Sequence, residues 1–289
     1  MSATRLFIAA LGATLLAAPA ATAGAQRDRD RDRDRDDSRN GDVRDSQRWN
    51  WSGTITEGRW LYVRNLNGAI RVEPSRSGQV EIEATKRAGR RGNVDDVKIT
   101  VEQRSGHGDA VVCAIWNDRT RCDEDGYRTN SSRGWFDSDD RRGNDVSVEF
   151  VVRLPRGVRV TASTVNGGLE IDGVDAEVDA HTVNGDVVAR SNGGPVRAGT
   201  TNGSLTVRTG QIGRETLDYS TVNGAITVEI PDNASADVEM HTVNGGISSD
   251  FPLTIEGRFN NRRVRGTIGR GGPLLRLSTT NGSIRLRRA

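Results

Sequence analysis

The chain has 289 residues, with 41 Lys plus Arg against 39 Asp plus Glu and a formal net charge of +2. So even a balance creates no field that would select a polyanion, which excludes nucleic acid as the expected partner. Aromatic residues are only 4 % while glycine numbers 34, a composition suited to a thin core of Val, Ile, Leu, Ala and Thr rather than a thick one of large side chains.

Residues 1–25 combine Arg5, an apolar run over 6–18 and the small-residue stretch Ala23-Gly24-Ala25, which is the pattern of a secretory signal peptide cleaved before Gln26. The apolar run is shorter than the roughly 20 residues of a spanning helix, and no later stretch reaches that length. The mature chain is therefore expected without a membrane-spanning segment, and exported: periplasmic, at the cell surface or secreted. Residues 26–48 open with alternating Arg and Asp. A run without apolar side chains cannot offset the entropy of ordering, so this stretch reads as a disordered tether.

From residue 49 onward, two-residue alternation dominates and no stretch keeps a helical period over three turns. Val158, Val160 and Ala162 alternate with Arg159 and Thr161; Ile226, Val228 and Ile230 alternate with Thr227 and Glu229. These are short strands with one buried face. All five tryptophans (Trp49, Trp51, Trp60, Trp116 and Trp135) fall in the first part, 49–156. So do Cys113 and Cys122, which in an exported protein read most simply as a disulfide. A metal site would need two further ligands, and His107 has no partner histidine nearby.

The second part, 157–289, repeats Thr-Val-Asn-Gly or a close variant. The copies place Thr164, Thr182, Thr200, Thr221, Thr242 and Thr279 two residues before Asn166, Asn184, Asn202, Asn223, Asn244 and Asn281. Gly167, Gly185, Gly203, Gly224, Gly245 and Gly282 follow. The Asn-to-Asn steps are 18, 18, 21, 21 and 37 residues. A nearly fixed period means one small unit copied and stacked. Counting by twos from Val178 and Ala180 reaches Thr182 and Asn184, so both motif residues are expected inside, stacked on their own kind, with the glycine supplying the positive φ of a corner. Gly173, Asn192-Gly193 and Pro231-Asp232-Asn233 fall at a second corner. Hairpins in a meander, sandwich or propeller compete with this reading. Recurrence of the same inward face every 18 to 21 residues favours parallel coils, and a propeller blade needs about 40 residues. The expected fold is an all-β, parallel, right-handed β-solenoid of 18–21-residue coils, continuous over 49–289. The long last step reads as a pair of coils with a degenerate middle motif. An irregular N-terminal β cap containing the tryptophans would cover the raw end.

Trp51-Ser52-Gly53, the stretch Asn65-Leu66-Asn67-Gly68-Ala69-Ile70, the repeats and the close Gly271-Gly272-Pro273-Leu274 through Asn281-Gly282-Ser283-Ile284 together resemble one bacterial family. It is the "putative adhesin" family of β-strand-repeat domains of unknown function, and the resemblance spans about residues 49–289. It implies a β-solenoid-like fold and an envelope or extracellular setting, and it has no established catalytic residues to carry over.

Asp123-Glu124-Asp125-Gly126 and Asp137-Ser138-Asp139-Asp140, in the insert 117–144, are the best metal candidates, calcium being the ion for flexible oxygen ligands. Neither has the full loop pattern, and Arg133, Arg141 and Arg142 lie close, so solvated loops and no cofactor are the expectation. His181 and His241 face outward three motif copies apart and cannot share a metal. No Gly-x-Ser-x-Gly elbow or phosphate loop is present. A carbohydrate-active β-helix enzyme needs paired carboxylates or a metal in a groove, and the one acidic row, Asp175, Glu177 and Asp179, lies within a single coil. The expected function is a non-catalytic adhesion, scaffold or binding module of the cell envelope with a glycan or protein partner. The alternatives are that enzyme and a periplasmic accessory of envelope-stress signalling.

Overall fold

Alternating side chains give each strand one apolar face, and such a face is satisfied only against a second sheet. The computed structural model describes residues 45–90, 92–103, 108–129, 144–255 and 262–289. The expected signal peptide, most of the expected tether, His107, Trp135 and the acidic run at 137–140 with its arginines lie outside them. The described residues fall in one compact unit, Val43–Ala289.

The N-terminal region contributes β1 (Ser46–Gly53), β2 (Trp60–Arg64), β3 (Ile70–Pro74), β4 (Val80–Arg87) and β5 (Lys98–Gln103). It continues with β6 (Ala110–Ile115), β7 (Thr120–Asp123), β8 (Gly126–Thr129) and β9 (Ser147–Leu154). The repeats give β10 (Arg159–Ser163), β11 (Leu169–Val174), β12 (Val178–His181), β13 (Val187–Ser191) and β14 (Val196–Gly199). Then follow β15 (Leu205–Arg208), β16 (Leu217–Asn223), β17 (Ile226–Ile230), β18 (Ala236–Asn244) and β19 (Ile247–Ser249). The chain ends with β20 (Thr254–Ile255), β21 (Arg263–Ile268), β22 (Leu274–Asn281) and β23 (Ile284–Arg288).

Two long sheets face each other. One runs β1-β4-β9-β3-β11-β13-β15-β17-β23-β19, the other β20-β21-β18-β22-β16-β14-β12-β10-β2-β6-β5. Each repeat lays one strand in the second sheet, turns at the Thr-Val-Asn-Gly corner, lays one strand in the first, and returns. Strands of successive coils pair in parallel, Val160 beside Val178 and Val178 beside Val196, with Leu169 beside Val187 and Leu205 beside Ile226 across the core. The parallel β-solenoid is thus the fold. At the return corner, buried Ser191 donates to the Val174 and Ala176 carbonyls at 3.0 and 2.7 Å.

The cap is antiparallel where the coils are not: β4 lies between β1 and β9, and β5 pairs with β6. β1 starts at Ser46, inside the last residues of the expected tether. Cys113 of β6 is bonded to Cys122 of β7, Cα atoms 6.3 Å apart, and Tyr127 of β8 donates to the Ala114 carbonyl at 2.7 Å. Trp49, Trp51 and Trp116 pack on the core. Trp60 does not belong to the cap. It stands on the outer face of the second sheet, with the Arg159 guanidinium 5.5 Å from its ring.

The last step departs from expectation. Among its described residues there is no degenerate coil: β21 runs antiparallel along β18, and the terminal coil β22–β23 is inserted between the two preceding coils, β22 pairing with both β16 and β18. Identical motifs make every neighbour equally acceptable at the corner, so another interaction must choose the order. On the outer face Arg276 lies opposite Asp218 on one side and Glu239 on the other. Its guanidinium is 3.7 Å from each carboxylate, and Arg265 reaches Glu239 from the far side at 2.8 Å. Stacking in sequence order would put Asp218 against Glu239, and like charges directly opposite are destabilising. Insertion converts a repulsive column into an alternating one, which continues through Arg197 and Asp179.

Arg276→Glu is expected to lower stability by about 1–2 kcal/mol, a loss that shrinks at high salt because these groups are half-exposed. Urea unfolding at two ionic strengths checks it; a salt-independent loss assigns the effect to packing. The hydrogen bond from Arg265 holds the Glu239 carboxyl below its usual value of 4.5. Its contribution is therefore present above that value and lost as pH falls through the lower folded-state one. The acid limb of stability against pH should flatten in Glu239→Gln.

Candidate binding surface

The repeat corner is built by three stacked columns. In the first, every motif threonine is buried and donates its hydroxyl to the carbonyl of the adjoining coil's motif glycine. The pairs are Thr164 to Gly68, Thr182 to Gly167, Thr200 to Gly185, Thr221 to Gly203, Thr279 to Gly224 and Thr242 to Gly282, at 2.9–3.1 Å. The earliest copy carries Asn65 at the threonine position. Its amide reaches the Val148 carbonyl at 2.8 Å, so the longer side chain continues the column into the cap.

The second column is glycine. A Cβ on Gly185, Gly203, Gly224, Gly282 or Gly245 would lie 1.9–2.1 Å from the carbonyl oxygen of the neighbouring motif glycine, and one on Gly167 would lie 2.2 Å from that of Gly68. Gly167, Gly185 and Gly203 have the expected positive φ, 156–159°, and Gly68 has a φ of 119°, so at these four both the backbone conformation and the carbonyl beneath exclude a side chain. Gly224, Gly245 and Gly282 lack the positive φ, and there the carbonyl alone excludes it.

The third column is asparagine, and here the parity argument fails. Asn166, Asn184, Asn202, Asn223, Asn281 and Asn244 are exposed. Strict alternation ends at the threonine because the corner begins there, and Val and Asn both turn outward. Their carboxamides bond to one another: Asn184 to Asn166, Asn202 to Asn184, Asn223 to Asn202, Asn281 to Asn223 and Asn244 to Asn281, at 2.7–2.9 Å. Each internal amide spends one N–H and one oxygen lone pair on its neighbours and keeps the others for solvent or ligand.

Beside this ladder runs a row of outward side chains. Val183, Val222 and Val243 are 40–45 % exposed, Thr201 and Thr280 are exposed in the same row, and Val165 is half-buried. Strand spacing sets the repeat along the row at about 4.8 Å. The corner therefore presents a row of alternating valine and threonine and an amide row side by side, held by backbone rather than by loops.

The other candidates are not brought together. His181 and His241 are separated by β14, β16 and β22. His181 instead contacts Asp179 at 2.6 Å, and the neighbouring charges hold the Asp179 carboxyl below its ordinary value despite burial. Asp175 meets Arg156 at 3.2 Å, Glu177 meets Arg159 at 3.7 Å and also Arg197, and Arg128 covers Asp123 and Asp125. Among the described residues no three His, Cys, Asp or Glu are placed to share a metal ion. One residue the sequence reading passed over is Arg64, buried against the Tyr62 ring with its guanidinium donating to the Glu124 carbonyl. Its alignment with Ser163 and His181, just before the motif, was the available signal.

The Toastrack DUF4097 family profile matches residues 61–287, and the chain belongs to that family. No curated protein matches it in sequence. A solved putative cell adhesion protein from Clostridium sporogenes is similar at 9 % identity and TM-score 0.46, over 84 % of this chain and 100 % of that one. A putative adhesin from Bacteroides fragilis gives 10 % and 0.28, over 84 % and 97 %. One from Parabacteroides merdae gives 10 % and 0.18, over 83 % and 96 %.

Gly203→Ala is expected to cost about 3 kcal/mol or more, since the obstructing atom is backbone. Gly246→Ala, with nothing within 4 Å of the added carbon, should stay within about 0.5 kcal/mol of wild type. Thr200→Val keeps the shape but strands the Gly185 carbonyl, for a loss of about 1–3 kcal/mol that Thr200→Ser should largely avoid. Chemical denaturation of the four variants measures all three expectations.

Proposed function

We propose that this chain is an exported, non-catalytic binding module of the cell envelope, acting in adhesion or as a scaffold, and that an extended glycan or protein partner lies along the repeat corner. The exposed Val183, Val222 and Val243 row beside the asparagine ladder carries this reading. A surface that repeats one weak contact per coil gains affinity through multiplicity, because each further contact forms at high effective concentration. Valine methyls, alternating with Thr201 and Thr280 along the stack, supply apolar contact, and the spare amide N–H and oxygen sites supply hydrogen bonds at every coil. Asp175, Glu177 and Glu239 are engaged by arginines of adjoining segments, which suits a binding surface better than a site needing a free carboxylate pair.

Retention of the purified protein on isolated envelope, compared with a Val165→Ser, Val183→Ser, Val222→Ser and Val243→Ser variant, tests this. Because Val165 is half-buried, the unfolding of the variant is measured alongside, and a clear drop in retention by the folded variant supports the corner as the contact face. Equal retention removes that row from the reading. Product release from a polysaccharide panel, with and without calcium, would replace the binding module with an enzyme.

A further inference from the structure

Sheet ends expose unpaired backbone groups, and proteins blunt them with short strands, charges, prolines or bulges. Of the four terminal strands of the two long sheets, three are blunted. β19 has three residues and β20 two, while β5 carries exposed Lys98 and Glu102. β1 is different. It is eight residues long, its register with β4 is unbroken, and its sequence Ser-Gln-Arg-Trp-Asn-Trp-Ser-Gly contains one charge and no proline. It heads the strand order of its sheet, so among the described residues nothing pairs with its outer side.

The direction of its free groups follows from hydrogen-bond parity. The Ala88 N–H donates to the Asp45 carbonyl at 3.0 Å, one step beyond the Ser46–Arg87 pair of the same antiparallel register. Asp45, and with it Gln47, Trp49 and Trp51, therefore bond towards β4, and Ser46, Arg48, Asn50 and Ser52 turn both backbone groups to the open side. Trp49 and Trp51 are only half-buried, leaving aromatic surface at the same edge.

We propose that β1 is a homodimerisation edge, pairing antiparallel with β1 of a second copy about a twofold axis at Trp49. The strand is complementary to itself in this register. Ser46 faces Ser52 of the second copy and Arg48 faces Asn50, so all four outward residues exchange backbone bonds, about eight in all. Arg48 never meets Arg48, and Trp49 meets Trp49, an aromatic cross-strand pair of the kind that stabilises sheets. Shifting the axis by one residue leaves outward groups unpaired, and other chains lack this reciprocity. The result is one sheet continuous across two copies.

Sedimentation of the full chain over a concentration series, with amide exchange at Arg48, Asn50 and Ser52, tests this. A concentration-dependent dimer with slowed exchange at those amides is expected. Asn50→Pro removes an outward N–H but no bond to β4, and should raise the dimer dissociation constant by about tenfold or more. A monomer at every concentration, as when some other segment occupies the edge, overturns the proposal. So does a dimer whose exchange at those amides is independent of concentration. Should Asn50→Pro fail to fold, the exchange measurement on the unaltered chain still decides.

Discussion

The contact on which the rest depends is the approach of one motif glycine to the carbonyl of the next. That carbonyl sits where a Cβ would be and accepts the hydroxyl of the adjoining coil's buried threonine. The two requirements interlock, because the oxygen that excludes a side chain is the oxygen the threonine must satisfy. A carbonyl buried without a partner is costly, so a coil displaced by one residue would lose both the space and the hydrogen bond. The corner thereby sets the register of the strands on either side, and the apolar columns of both sheets follow from it.

Register and order are governed by different physics. A column of identical motifs accepts any copy as neighbour, and the terminal coil uses that freedom by entering between two coils that precede it in the chain. Long-range charge alternation on the outer face, Asp218 to Arg276 to Glu239 to Arg265, distinguishes the arrangement that the corner cannot. The order is therefore complete only when the last residues are in place, and β21 then covers the outermost long strand of that sheet. The topology turns a potential edge into a paired one.

The same corner creates the most regular exposed surface. Once threonine and glycine are committed inward, valine and asparagine have nowhere to go but out. The asparagines link into a continuous amide ladder rather than standing as separate polar groups. The cap at the opposite end from the inserted coil serves the stack by closing its core with Trp49, Trp51 and the disulfide-linked strands.

Period, strand alternation and the repeated tetrapeptide were enough to derive a parallel solenoid, its two-corner coil and the inward threonines. These are local properties, carried within one repeat and read by counting. The position of the asparagines was not legible that way, because alternation holds only along an extended strand and the motif is where the strand ends. The second demand on glycine, beyond its positive φ at Gly167, Gly185 and Gly203, was not legible because the obstructing carbonyl belongs to another coil, 18 or more residues away. Asn65 reads as a variant motif in the sequence, and only its reach to Val148 shows that it extends the threonine column. The insertion of the terminal coil lies furthest from the sequence. Nothing within a repeat encodes its neighbour, and the choice between equivalent neighbours is made by charges that meet only after the coils have stacked.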